Sequence, residues 1–281
     1  MSNPRTPTTV VDVGGTSLHA YPMGEATGRP TVVFEAGLGG FGAQWHHVQH
    51  RVAEHTATVS YDRAGTGGSA PAPLPRTLDA VLDDLDGLLD GLGVEPPLLL
   101  VGHSLGGLLL RCFARRRPGD VAGLVLVDSS HEHQRHATRS PRSAMAPVRL
   151  ALRARGWLST LPQRFAETPA AAEGGRGLAP DGRSFRAAEA EVALFGDLFG
   201  PSHRVPTELA DLPLSVISAD RRTATGRRMR RSMDEHQELQ ADLVRLSSLG
   251  GWCTVPGANH LSLLLDPRHA AAVAEVVLDL G

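Results

Sequence analysis

Short β-branched and leucine-rich runs alternate with stretches of helical period along most of this 281-residue chain. That alternation limits the fold more than any other feature. "TTVVDV" (8–13) and "LHAYPMG" (18–24) read as a first hairpin, and "PTVVFEAG" (30–37) as a buried strand before the helical pattern of "GAQWHHVQHRVAEH" (42–55). "TATVSYDRAG" (56–65) is the next strand, followed by the helix of "LDAVLDDLDGLLDGL" (78–92). Then come the strand "PPLLLVGH" (96–103), a helix from Ser104 to Arg117 stopped by Pro118, and the strand "VAGLVLVDS" (121–129). The pattern resumes late in the chain with "LPLSVISAD" (212–220), a helix, "GGWCTVPG" (250–257) and a last helix. Eight strands interleaved with helices imply an α/β fold, a mostly parallel sheet with helices on both faces. The capping box Ser232-x-x-Glu235 predicts the start of the penultimate helix, and Asp266-Pro267 that of the last.

Between residues 131 and 206 strand patterns give way to Ala, Arg, Pro and Gly, with helical patches at "MAPVRLALRARGW" (145–157) and "FRAAEAEVALFGDLF" (185–199). The stretch is far longer than an ordinary connection. It is read as a helical cap or lid insertion, with "GGRGLAPDGRS" (174–184) as a mobile connector. The organisation is therefore a core in two parts, 1–130 and 207–281, split by a cap at 131–206.

A net charge of −2 gives no bulk reason to seek nucleic acid or an anionic membrane. No run approaches the ~18 apolar residues of a membrane span, and no signal-peptide pattern opens the chain. A cytoplasmic protein with a small-molecule partner is the expectation. All 28 basic residues are arginine, so Schiff-base, Ser-Lys and P-loop lysine chemistry is excluded. Cys112 and Cys253 lack metal or redox spacing, and each is expected to be a buried, reduced thiol.

"LLLVGHSLGGLLLRC" (98–112) interrupts apolar sequence with Gly102, His103, Ser104, Leu105, Gly106 and Gly107. Strand, turn and helix around G-x-S-x-G is the context in which a sharp turn exposes a nucleophilic serine. The flanking glycines leave room for such a turn, and the helix N-terminus adds unpaired N–H groups beneath it. The plainer reading is a tight strand–helix crossover.

In three further motifs the chain resembles the α/β-hydrolases over nearly its whole length. "FEAGLGG" (34–40) is similar to the loop that supplies an oxyanion-hole N–H, with Ala36-Gly37 where many members have His-Gly. "YDRAGTGGS" (61–69) resembles the D-x-x-G-x-G-x-S loop, and "VPGANHLSLLLDP" (255–267) the segment bearing the catalytic histidine. The resemblance implies Ser104 as nucleophile, His260 as base, and the backbone N–H groups of Leu38 and Leu105 as oxyanion donors. The acid has two strand-end candidates: Asp128 is favoured, with Asp220 as the alternative. Trp45 and Phe41 are either acyl-pocket lining or core aromatics, while Asp62 and Arg63 read as scaffold.

The His46, His47, His50 run and the run from His131 to His136 lack a convincing further ligand. Both are read as solvated or pocket-lining, and no metal or cofactor is expected. The implied activity is hydrolysis of a carboxylic ester or related acyl bond through an acyl-enzyme. A lyase, acyltransferase or cyclase on the same scaffold, and a non-catalytic binding protein, are the alternatives. Haloalkane dehalogenase chemistry needs an aspartate where Ser104 stands.

Overall fold

The computed structural model describes residues 8–134, 182–200, 204–220 and 226–281. Strands β1 (Thr9–Val13) and β2 (Thr16–Met23) form the expected hairpin. Its turn is Gly14-Gly15, both at positive φ (58° and 89°), the backbone that a two-residue hairpin turn demands. Six further strands complete the sheet: β3 (Thr31–Glu35), β4 (Thr58–Tyr61), β5 (Leu98–His103), β6 (Val121–Val127), β7 (Leu214–Ala219) and β8 (Gly250–Val255). Their order is β1-β2-β4-β3-β5-β6-β7-β8, and only β2 runs against its neighbours.

Strands covered on both faces read as continuous apolar runs rather than alternating ones, and all six residues of β5 are buried. One face carries α1 (His46–Val52), α7 (Ser262–Leu265) and α8 (Pro267–Leu280) over a core that includes Phe34, Trp45, Val101, Val127 and Val273. The other carries α2 (Leu78–Leu92) and α3 (Leu105–Arg116), with Leu85, Leu100, Leu108, Phe113 and Leu126 between them. Leu243 at the end of α6 (Arg227–Val244) joins that second core. Thr77 caps α2 and Gly93 ends it in a left-handed turn, while Asp266 caps α8 with Pro267 at its first position, as the sequence predicts.

Three expectations need correction. Ser232 does not start α6: the helix begins at Arg227 after Gly226, so Ser232 lies in its second turn. Arg and Met are good helix formers and carry the helix further toward the N-terminus than the capping pattern suggested. Cys253 is exposed, because β8 is an edge strand whose residues 251–254 lie open; only Cys112 is buried. The run from His131 is not solvated at its start, since His131 and Glu132 are buried.

Of the 131–206 insertion, the described part holds α4 (Gly182–Glu191), a 3₁₀ turn (Val192–Leu194) and α5 (Phe195–Phe199). The patch at 145–157 and most of the 174–184 connector lie outside the described residues. Among the described residues, no helix is long and apolar enough to cross a membrane.

Candidate active site

Ser104 stands between β5 and α3 with φ 53° and ψ −120°, a region that non-glycine residues rarely occupy. The turn is pinned to the end of β6. Ser104 N–H donates to the Val127 carbonyl at 3.1 Å, and the Ser104 carbonyl accepts from Ser130 N–H at 3.0 Å. The glycines are there for space. A Cβ on Gly102 would stand 2.7 Å from the Gly107 backbone, and one on Gly106 would stand 2.7 Å from the Ala36 carbonyl oxygen.

His260 follows β8 in the short loop before α7. Its Nδ1 lies 2.6 Å from Oδ2 of Asp128, the residue directly after β6. Asp128 is only 3 % exposed and has φ 44°, which turns its side chain back over the strand ends. Burial alone would raise this carboxyl. Hydrogen bonds from His236 and His260, with their charge, overcome it and hold Asp128 well below the usual carboxylate range. Asp220 is not at this point: its Oδ2 accepts from Gly257 N–H at 2.8 Å and its own N–H donates to Ala258.

His103 turns inward. Its Nε2 lies 3.0 Å from the His260 carbonyl oxygen, and its ring stacks on that of His260 with centroids 4.4 Å apart. Trp45 closes the far side, edge-on to His103 at 6.5 Å, so Trp45 and the equally buried Phe41 belong to the core.

The loop after β3 meets Ser104 at Gly37, where a Cβ would lie 3.2 Å from Ser104 Cβ. Leu38 follows in that loop, and Leu105 opens α3. Arg63 fixes the loop from below. It donates to the Ala36 and Gly37 carbonyls at 2.7 and 2.6 Å, and pairs with Glu35 at 2.5 Å and Glu191 at 2.7 Å. All three charged side chains are buried. Burial drives Glu35 upward, opposed by Arg63 and by a hydrogen bond from the Tyr61 hydroxyl. Glu191, from α4, also accepts from Gly39 N–H at 3.0 Å. Asp62 takes Gly42 N–H, Gly68 N–H and the Tyr21 hydroxyl, so its carboxylate organises the glycine turn.

His236 is a site residue that the sequence reading missed. It comes from the middle of α6, and its Nε2 lies 3.0 Å from Asp128 Oδ1. The histidines at 46, 47 and 50 contact one another on α1, with ring centroids of His46 and His50 4.2 Å apart. Among the described residues, no three His, Cys, Asp or Glu side chains could together hold a metal ion.

A model described as the alpha/beta hydrolase family matches residues 32–276. YqjL of Bacillus subtilis, itself uncharacterized, is 33% identical over 116 residues, 41% of this chain and 46% of that one. The chain spans less than half the length of the curated relatives it matches first. Among solved structures, an enol-lactonase from Burkholderia xenovorans LB400 superposes with a TM-score of 0.67 at 22% identity, covering 98% of this chain and 99% of that one. A thermophilic esterase from Thermogutta terrifontis superposes with the same score at 20% identity and the same coverage. At such identities the likeness of these two is one of fold. The family pattern itself runs from the third strand into the last helix, and the chain belongs to the α/β hydrolase family.

Proposed function

We propose that the protein is a serine hydrolase that cleaves a carboxylic ester, or a related acyl bond, of a small molecule. The observation that carries this reading is the 2.6 Å contact of His260 Nδ1 with the buried Asp128 carboxylate, at the strand end to which the backbone of Ser104, held at positive φ, is tied. A serine hydroxyl is a weak nucleophile at neutral pH and needs a base to take its proton. His260 Nδ1–H donates to Asp128, which leaves Nε2 as the acceptor for the Ser104 proton. Ser104 Oγ attacks the acyl carbon while His260 takes that proton. His260 then returns it to the leaving alcohol as the acyl-enzyme forms, and water, deprotonated by the same imidazole, releases the acid. Asp128 stays ionised and stabilises the imidazolium.

The negative oxygen of the tetrahedral intermediate is received by the Leu105 and Leu38 N–H groups. Arg63 supports the second of these. In a trans peptide the carbonyl and the following N–H point in opposite directions. Holding the Gly37 carbonyl toward Arg63 therefore turns the Leu38 N–H away from it. Residues 131–206 act as the cap that selects the acyl group, a reading supported by the reach of Glu191 to Gly39 and Arg63. The enol-lactonase and esterase likenesses are consistent with ring or open-chain ester substrates.

The test is labelling by a fluorophosphonate probe with mass-spectrometric mapping, alongside turnover of short p-nitrophenyl esters. Ser104 should carry the adduct, Ser104→Ala should carry none, and Asp128→Asn should react up to about 10⁴-fold more slowly. Asp220→Asn should label at close to the wild-type rate. A folded protein labelled elsewhere, or not at all, would sink the proposal.

A further inference from the structure

Asp128 carries a second imidazole that the proposed relay does not use. His260 takes Oδ2, while Oδ1 faces both the Ala219 N–H at 3.0 Å and His236 Nε2 at 3.0 Å. An ionised carboxylate only accepts hydrogen bonds. His236 must therefore present Nε2–H to it, whether the ring is neutral or charged.

The surroundings of His236 show what this contact is for. Gln237 donates to the Ala219 carbonyl at 3.0 Å, and Gln240 to the Ser129 carbonyl at 2.8 Å. Three neighbouring side chains on α6 thus dock polar groups onto the ends of β6 and β7, where an unsatisfied buried carbonyl would be costly. Gln237 and Gln240 meet backbone, whereas His236 alone reaches the carboxylate. The terminal torsion of an aspartate is broad and nearly two-fold. With the Ala219 N–H as its single partner, Oδ1 would be held by one hydrogen bond, and the carboxylate would be freer to turn away from His260.

We infer that His236 is a positioning residue of the relay: with the Ala219 N–H it clamps Oδ1 of Asp128, and so aims Oδ2 at His260 Nδ1. The inference rests on the reading of Asp128 and His260 given above. His236 itself touches neither Ser104 nor substrate in this scheme. Its contribution is the fixed angle of the carboxylate.

Two substitutions separate the hydrogen bond from the packing. Gln at 236 can place an amide N–H near the position of Nε2, whereas Phe fills similar space without a donor. The first readout is the far-downfield proton resonance of the His260 Nδ1–H bound to Asp128, which requires no activity. The second is the rate of fluorophosphonate labelling at Ser104.

His236→Gln should keep the resonance and label within about 3-fold of wild type. His236→Phe should shift or broaden the resonance and label up to about 10²-fold more slowly, the scale set by misplacing a catalytic group. A thermal melt confirms that each variant is folded. The inference is overturned if His236→Phe leaves the resonance in place, or if Gln and Phe perturb it equally. Absence of labelling in the wild type would defeat the hydrolase reading instead, and the resonance would still decide the role of His236.

Discussion

His103 is buried between Trp45 and the His260 ring, and burial, helped by the His260 charge, pushes it down to about 3. Burial pushes His131 down to about 4. Both histidines are neutral in the fold but take a proton near pH 6.5 once unfolded. Between those values the unfolded chain binds more protons, so stability falls as the pH drops from about 6.5. For His103 alone the loss approaches about 5 kcal/mol by pH 3, at about 1.4 kcal/mol per pH unit. Urea unfolding between pH 6.5 and 4.5 should show this slope, and His103→Asn should flatten it. An unchanged slope would mean that His103 is charged in the fold. At this scale Ser104 and His260 could be read from the chain because their residue types sit inside recognisable loops. Asp128 rather than Asp220 meets His260, and the positive φ of 44° at Asp128 is written in no motif. His236 left no local signal at all. Mid-helix histidines are ordinary, and its partner lies 108 residues away in sequence.

The turn that holds Ser104 is an element with almost no slack. A methyl group on Gly106 would run into the Ala36 carbonyl, which is backbone and cannot rotate aside. Gly106→Ala should therefore cost about 1–3 kcal/mol, read as a lowered urea midpoint, and should slow labelling of Ser104. A variant as stable as wild type would show that α3 can slide. The loop beneath Ser104 depends on a different kind of interaction. Arg63→Met strips the partner from two buried carboxylates, Glu35 and Glu191, and should cost about 3–5 kcal/mol. Calorimetric melting would check this, and a loss below 1 kcal/mol would mean that water enters the cluster. Reading Arg63 as scaffold did not reach the two carbonyls it holds. Glycine spacing announces a turn, whereas an arginine's partners from other elements cannot be seen along the chain. The Ser232-x-x-Glu235 pattern failed for the opposite reason. The spacing of a capping box also occurs inside any helix, so it marks a start only where the preceding residues are not themselves helix formers.

For the molecule as a whole, the alternation of buried runs and helical patterns fixed the eight strands, because a parallel sheet covered on both faces hides whole strands. Position within the sheet was less visible. Cys253 looks like a core residue in the sequence, yet β8 is an edge strand, exposed at Cys253 and 45 % exposed at the neighbouring Trp252. Nothing in a strand's own residues says which strand will lie beside it. The pairing of β6 with β7 carries a consequence of its own. These neighbours are joined by residues 128–213, a span fixed at both ends to a rigid frame. Doubling the length of a flexible connection costs only about 0.6 kcal/mol in closure entropy. A change in the length of this span therefore costs little in closure entropy, provided Asp128 and Glu191 keep their partners. Over evolutionary time the same frame can then accept a new continuous segment between these two strands, with the contact of His260 and Asp128 inherited intact.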